Sequence, residues 1–269
     1  MKGRWLRAYT VLYLLFLYAP IALLPIFAFN DATIIAFPLG GFTGRWFVEL
    51  GKVPALHDAA LNSVFIAAMA SVSATVLGML AACASTRYEF PAKRPIMGFI
   101  MLPLVLPEII VGVSLLVVIL RAGLHLSHWS IIAGHILIVT PFSIAILSSA
   151  FASLDRSLEE AAIDLGETPW STFRLVTLPL VMPGIISSLL IGFTISLDEF
   201  IIAFFLSGSE PTLPVYIFGQ LRFPQKIPII MALGTILVVL SILLLVTAEY
   251  FRRRGIRRAG GQDSGGFLG

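Results

Sequence analysis

Glu108, Asp198 and Glu199 are carboxylates set inside long apolar stretches of the sequence. An ionisable group held in hydrocarbon costs roughly 2.5–3.5 kcal/mol on insertion scales, so each is a candidate for function. Asp198 and Glu199 are adjacent, and like charges so close repel unless a cation visits them. That arrangement favours a cationic substrate. Gly184, Ser187, Ser188, Ile191, Thr194 and Asp198 follow i, i+3, i+4 spacing and make one mostly polar stripe on a helix. Such a face lines a subunit interface or a water-filled pathway. In the alternative reading the carboxylates pair with Arg, Ser or backbone amides across helices, since Pro103 and Pro107 leave carbonyls and helix ends that need partners.

Other chemistries fit less well. Serines and four histidines are present, yet there is no strained Gly-x-Ser-x-Gly turn and no acid placed to orient a particular His, as a hydrolase would need. His57, His125, His128 and His135 lack the i, i+4 geometry of a His-x-x-x-His site, so no metal is expected. His135 is better suited to an interhelical hydrogen bond. The single Cys83 permits neither a disulfide framework nor a cysteine cluster. No Gly-x-x-x-x-Gly-Lys-Ser/Thr segment occurs, so the chain has no phosphate-cradling loop of its own.

The elements that hold these residues must be solvated by lipid. Of 269 residues 58% are hydrophobic and 12% charged, and the mean hydropathy is +0.97, far from the profile of a soluble domain. A bilayer core needs about 20 mostly apolar helical residues. Six stretches qualify: 8–29, 60–85, 96–120, 129–151, 180–206 and 227–250. Glu108 then lies about twelve residues into the third span, ~18 Å along the helix and near the midplane. Asp198 and Glu199 lie about eight residues, or ~12 Å, from the outer end of the fifth.

Lys2, Arg4, Arg7, Arg87, Lys93, Arg94, Arg156, Arg174 and the tail residues Arg252, Arg253, Arg254, Arg257 and Arg258 put 13 cations on one side. Arg45, Lys52, Arg121, Arg222 and Lys226 leave 5 on the other. Both termini are therefore expected in the cytoplasm, and the basic balance reflects membrane orientation rather than a nucleic-acid partner. The segment 30–58 is too polar to span and is expected along the outer surface, with Trp46 at headgroup level. Residues 1–259 make one membrane domain, and 260–269 read as a disordered tail.

The longest cytoplasmic connection, 152–178, carries its own folding signals. Ser157 followed by Glu160 is a capping box that predicts a helix start, Gly166 supplies a left-handed stop, and Thr168-Pro169 gives a fresh N-cap and first turn. The second helix is expected to run from Trp170 to Pro179, where the next span begins. The product is a bent knob whose small Ala161 and Ala162 let another protein approach the backbone, or else an amphipathic loop lying on the membrane.

Glu160-Ala161-Ala162, three residues, Gly166, nine residues, then Val176-x-Leu178-Pro179 resembles the EAA motif of membrane subunits of binding-protein-dependent ABC importers. The family pattern ends Ile-x-Leu-Pro, and Val176 departs from it by one methylene. The resemblance implies an all-α, six-helix type I importer permease of the MetI-like fold in a bacterial inner membrane. It implies that Glu160, Ala161, Ala162, Gly166, Leu178 and Pro179 seat a coupling helix in an ATP-binding subunit. It implies four further things: a dimer of that ATPase holding the ATP and Mg, no cofactor in this chain, a second, related permease subunit, and a periplasmic solute-binding protein.

Tyr18-Ala19-Pro20, Phe29-Asn30, the Leu102-Pro103 to Gly112 stretch and Ser196-Leu197-Asp198-Glu199-Phe200 running into Phe205-Leu206-Ser207-Gly208 resemble the spermidine/putrescine branch of that family. In that branch two aspartates are common where this chain has Asp198-Glu199. Glu108, Thr194, Asp198 and Glu199 are accordingly the expected pathway residues for a polyamine. An ion-coupled secondary transporter would also use buried carboxylates, but it has no use for the capped knob. An importer of another small solute shares the same motifs.

Overall fold

A computed structural model describes residues 2–258, and the tail expected over 260–269 lies outside them. Among the described residues the backbone is helical, with no β-strand and one isolated antiparallel bridge between Asn30 and Phe42. The chain divides into two units, Met1–Pro54 with Ile217–Gly269, and Ala55–Tyr216.

In the first unit α1 (Lys2–Ala28) packs along α12 (Ile227–Arg258), with Gly234 giving Leu24 room to approach. Trp46, expected to face the headgroups, is on the short α2 (Arg45–Leu50) and is buried within the chain. Its ring is 4% exposed against Ala28 and Ala232, and its indole N–H donates to the Asn30 carbonyl at 2.7 Å. An indole with a buried carbonyl in reach gains more from burial than from a place in an interfacial belt. Asn30 Oδ1 in turn accepts from the Gly40 amide at 3.0 Å, which folds 30–44 back on itself.

The second unit is built on α3 (Pro54–Arg87), α6 (His128–Ala152) and α9 (Leu178–Asp198). Lipid offers no hydrophobic drive between helices, so close backbone approach through small residues has to hold them. A Cβ on Gly78 of α3 would fall 2.6 Å from Cβ of Ser143 in α6 and 3.0 Å from its backbone. Gly184 of α9 meets Ala150 in the same way, and Gly192 meets Val139 and Ser71. Thr75 and Ser188 hydrogen-bond across α3 and α9 at 3.0 Å, and His135 Nδ1 meets Ser196 Oγ at 2.7 Å between α6 and α9. His135 thus does the interhelical work expected of it.

Among the described residues five helices are long and apolar enough to cross a membrane: Trp5–Ala28, Pro54–Arg87, His128–Ala152, Pro169–Asp198 and Pro224–Leu243. The expected sixth, 96–120, is interrupted. α4 (Lys93–Met101) passes through a 3-10 turn at Leu102–Leu104, the chain extends at Pro107 (ψ 128°), and α5 (Glu108–Arg121) begins afresh. Pro107 drives the residue before it away from helical geometry and cannot donate an amide. The 180–206 stretch is also interrupted: α9 ends at Asp198, Glu199 is extended (ψ 115°), and α10 (Ile201–Leu206) follows. α10 lies between α5 and α6, where Gly112 and Gly134 leave space for Ile202, Phe205 and Leu206. α11 (Leu213–Gln220) follows, its Leu213 amide donating to Ser63 Oγ at 2.7 Å.

Gly78→Ala drives a methyl into Ser143, and overpacking of this kind costs roughly 1–3 kcal/mol. It is expected to lower the thermal unfolding midpoint of the detergent-solubilised chain, whereas Gly98→Ala, inside α4 with no neighbour within 4 Å, does not lower it and raises it if helix propensity dominates.

Candidate functional site

Two regions hold the residues singled out by sequence. The first is the connection after α6. α7 spans Arg156–Asp164, and its N-cap is Asp155, whose carboxylate accepts the Ser157 amide at 3.0 Å. The Ser157–Glu160 capping box is therefore not formed, because the aspartate two residues earlier reaches the same free amides first. That hydrogen bond holds the Asp155 carboxyl below the usual carboxylate range, so the cap is fully present above that range and is lost only as pH falls through the lowered value.

Gly166 sits at φ +94°, the left-handed stop expected of it, and the Glu167 amide returns to the Ala162 carbonyl at 3.1 Å. Thr168 caps α8 (Pro169–Thr172) through the Ser171 amide at 3.2 Å, also as expected. The second helix does not stop at Pro179. A π-helical turn, Phe173–Thr177, carries the backbone into α9, where Leu178 and Pro179 fill the first turn. The wider turn accommodates a proline that has no amide to give and whose ring would crowd the preceding turn.

Of the motif residues, Glu160, Ala161 and Gly166 are exposed, Leu178 is half-buried and Pro179 exposed. Ala162 is buried against its own chain, so only Ala161 offers the outer approach expected of both alanines. Leu158, Ile163, Leu165 and Trp170 stand exposed on the same knob, Leu165 at 86%. Sequence reasoning missed this apolar cap and also missed Glu159. Glu159 turns inward to Arg87 at 2.9 Å and accepts from Thr177 Oγ1 at 2.8 Å. The four apolar residues were readable signals, since a solvated loop has no reason to carry them.

The second region gathers the carboxylates. Glu108 is the first residue of α5 rather than one twelve positions inside a continuous helix, and it is exposed. Helix N-termini favour negative charge, so the interruption lowers the cost of the acid there. Glu199 interacts electrostatically with both Glu108 and Asp198, which brings acids from two discontinuous helices to one place. Glu199 Oε1 also accepts the Ile202 amide at 2.9 Å, capping α10. Asp198 is exposed at the end of α9, and Thr194, also exposed, donates back to the Leu190 carbonyl at 2.8 Å. The expected single polar stripe divides: Gly184 and Ser188 turn into the α3–α6 packing, while Ser187, Ile191, Thr194 and Asp198 stay on an open face. Among the described residues no group of His, Cys, Asp and Glu is arranged to hold a metal.

Residues 74–257 match the family described as the binding-protein-dependent transport system inner membrane component, and the chain belongs to that family. It is a multi-pass transport component, not an enzyme. Among its relatives is the putrescine transport system permease protein PotI of Escherichia coli strain K12, 36% identical over 96% of this chain and 97% of that one. The spermidine/putrescine transport system permease protein PotC of Haemophilus influenzae is 34% identical over 89% of this chain and 93% of its own length. A bacterial ABC transporter that imports the acidic polysaccharide alginate shares the fold, with a TM-score of 0.72 at 21% identity over 94% of this chain and 96% of that one.

Glu199→Gln keeps an acceptor for the Ile202 amide and is expected to retain native stability. Glu199→Ala removes the cap, at a cost of roughly 0.5–2 kcal/mol. Thermal unfolding of the two purified variants in detergent checks the difference.

Proposed function

We propose that this chain forms half of the translocation pathway of an ABC importer for a polyamine in a bacterial inner membrane, with both termini and the 152–178 loop in the cytoplasm. Residues 1–259 form its permease domain. The observation that carries the reading is the knob at α7 and α8. It is sharply bent at Gly166, capped at both helix starts and covered by exposed Leu158, Ile163, Leu165 and Trp170. An apolar cap on a rigid cytoplasmic bend suits insertion into a cleft of another protein. Its motif, Glu160, Ala161, Ala162, Gly166, Leu178 and Pro179, supports an ATP-binding subunit as that protein. A pair of such subunits holds the ATP and Mg, and their closure draws the knob and the spans behind it.

The open face supports the rest. Val105 and Leu106 are non-helical and exposed in the isolated chain, and backbone of that kind is tolerated at membrane depth only against protein or a water-filled path. A second, related permease subunit across that face supplies both, and a periplasmic solute-binding protein delivers the solute. Glu108, Asp198 and Glu199, with Thr194 on the same side, then line the path as a ring of negative charge suited to a di- or tri-cation. The names of the relatives agree with that substrate class.

In proteoliposomes containing the sister permease, the ATPase and the receptor, ATP-dependent uptake of putrescine or spermidine is expected, and the double variant Asp198→Asn with Glu199→Gln is expected to lose most of it. Unchanged uptake in that variant rejects the cationic path. An L side chain at the φ of Gly166 costs roughly 1–2 kcal/mol, so Gly166→Val is expected to insert normally yet hydrolyse ATP without moving solute. Normal uptake in that variant rejects the role of the bend.

A further inference from the structure

α7 is joined through the chain to α6 on one side and to α8 and α9 on the other, but α3 has no covalent path to it shorter than the whole of α4 to α6. Two side-chain contacts make that connection, and a third ties the same carboxylate to the turn before α9. Glu159, on α7, holds Arg87 Nε at the C-terminal end of α3 at 2.9 Å, with the two side chains only 12% and 19% exposed. The other carboxylate oxygen of Glu159 accepts from Thr177 Oγ1 at 2.8 Å, and Thr177 is 3% exposed in the π-helical turn that leads into α9. Arg156, in the first turn of α7, donates through Nη2 to the Thr86 carbonyl of α3 at 2.6 Å. One carboxylate thus ties α7 to two membrane helices at once.

We infer that Arg87, Glu159 and Thr177 form the joint that makes α3 and α9 follow the knob, so that Glu159 and Arg87 act as positioning residues for coupling rather than as contacts to a partner. This rests on the importer reading of the knob. A largely enclosed ion pair whose carboxylate also accepts a hydroxyl is screened far less than a surface pair, and removing one member strands the other's charge. The pair between Lys93 and Glu89 is the contrast: its carboxylate is 90% exposed, and it ties only neighbouring residues. Without the joint, motion of α7 would still reach α6 and α9 along the chain, while α3 would lag.

The test uses the full assembly of this chain, its sister permease, the ATPase and the receptor in proteoliposomes, with solute moved per ATP hydrolysed as the readout. Arg87→Gln and Glu159→Gln are each expected to keep the ATPase bound and its basal hydrolysis unchanged. Solute moved per ATP should fall about tenfold as the ionic tie to α3 is lost, while Lys93→Gln changes nothing. A normal ratio in both variants overturns the joint, and so does loss of ATPase association, which would make the pair a docking contact.

A second measurement needs neither variant. Spin labels at Tyr88 and Ser157, both exposed, are expected to keep one separation between the nucleotide-free and ATP-trapped states. A separation that changes overturns the inference. If the unmodified chain captures no ATPase, the importer reading falls and the joint falls with it.

Discussion

Close backbone contact between α3, α6 and α9 is the constraint on which the second unit depends. A helix pair in lipid gains nothing from hiding apolar surface, because the tails outside are as apolar as the partner. What remains is dispersion at short range and the occasional interhelical hydrogen bond, and both need small side chains at the crossing. Gly78 against Ser143, Gly184 against Ala150 and Gly192 against Ser71 and Val139 supply the first. Thr75 to Ser188 and His135 to Ser196 supply the second. Ser196 is two residues from Asp198, so this packing also fixes where α9 ends.

The two interruptions gain meaning from that fixed frame. Pro107 ends one helical run and Glu199 the next, and the helices that restart, α5 and α10, pack side by side with Gly112 admitting Ile202 and Phe205. Each restart places an acid at its beginning, where helix amides are free and negative charge is least costly. Glu199 serves two ends at once: it caps α10 through Ile202 and lies within the field of Glu108 and Asp198. The two rival readings of these acids, structural pairing and contact with a cation, therefore do not exclude each other. Glu199 has a backbone partner, while Asp198 and Glu108 remain on the open face.

At the other end of α9 the knob combines a rigid outer surface with an inner set of polar ties. Its surface exposes Leu158, Ile163, Leu165 and Trp170, while Glu159, Arg156 and Thr177 are spent on α3 and the π-helical turn. The π-helical turn lets Pro179 stand in the first turn of α9 without a break, so the knob's second helix and the membrane helix share one rod, Pro169–Asp198. Motion imposed on α8 has no hinge at Pro179 in which to be lost.

The sequence alone determined the membrane class, the EAA spacing from Glu160 to Pro179, the left-handed Gly166, the Thr168 cap and the interhelical role of His135. These are local matters, set by hydropathy over one span or by hydrogen bonds a few residues long. Tertiary structure decided what depends on distant neighbours. Trp46 is buried against a carbonyl of its own chain, because Asn30 and Ala232 lie around it. Asp155 took the cap from Ser157, a choice between candidates two residues apart that sequence leaves nearly equal. The spans at 96–120 and 180–206 broke where apolar composition reads as continuous, since hydropathy counts side chains and is blind to whether a neighbouring helix or a carboxylate can satisfy a freed backbone amide. Glu159 escaped notice for the same reason: its partner Arg87 is 72 residues away along the chain, and only packing of α3 against α7 brings the two charges together.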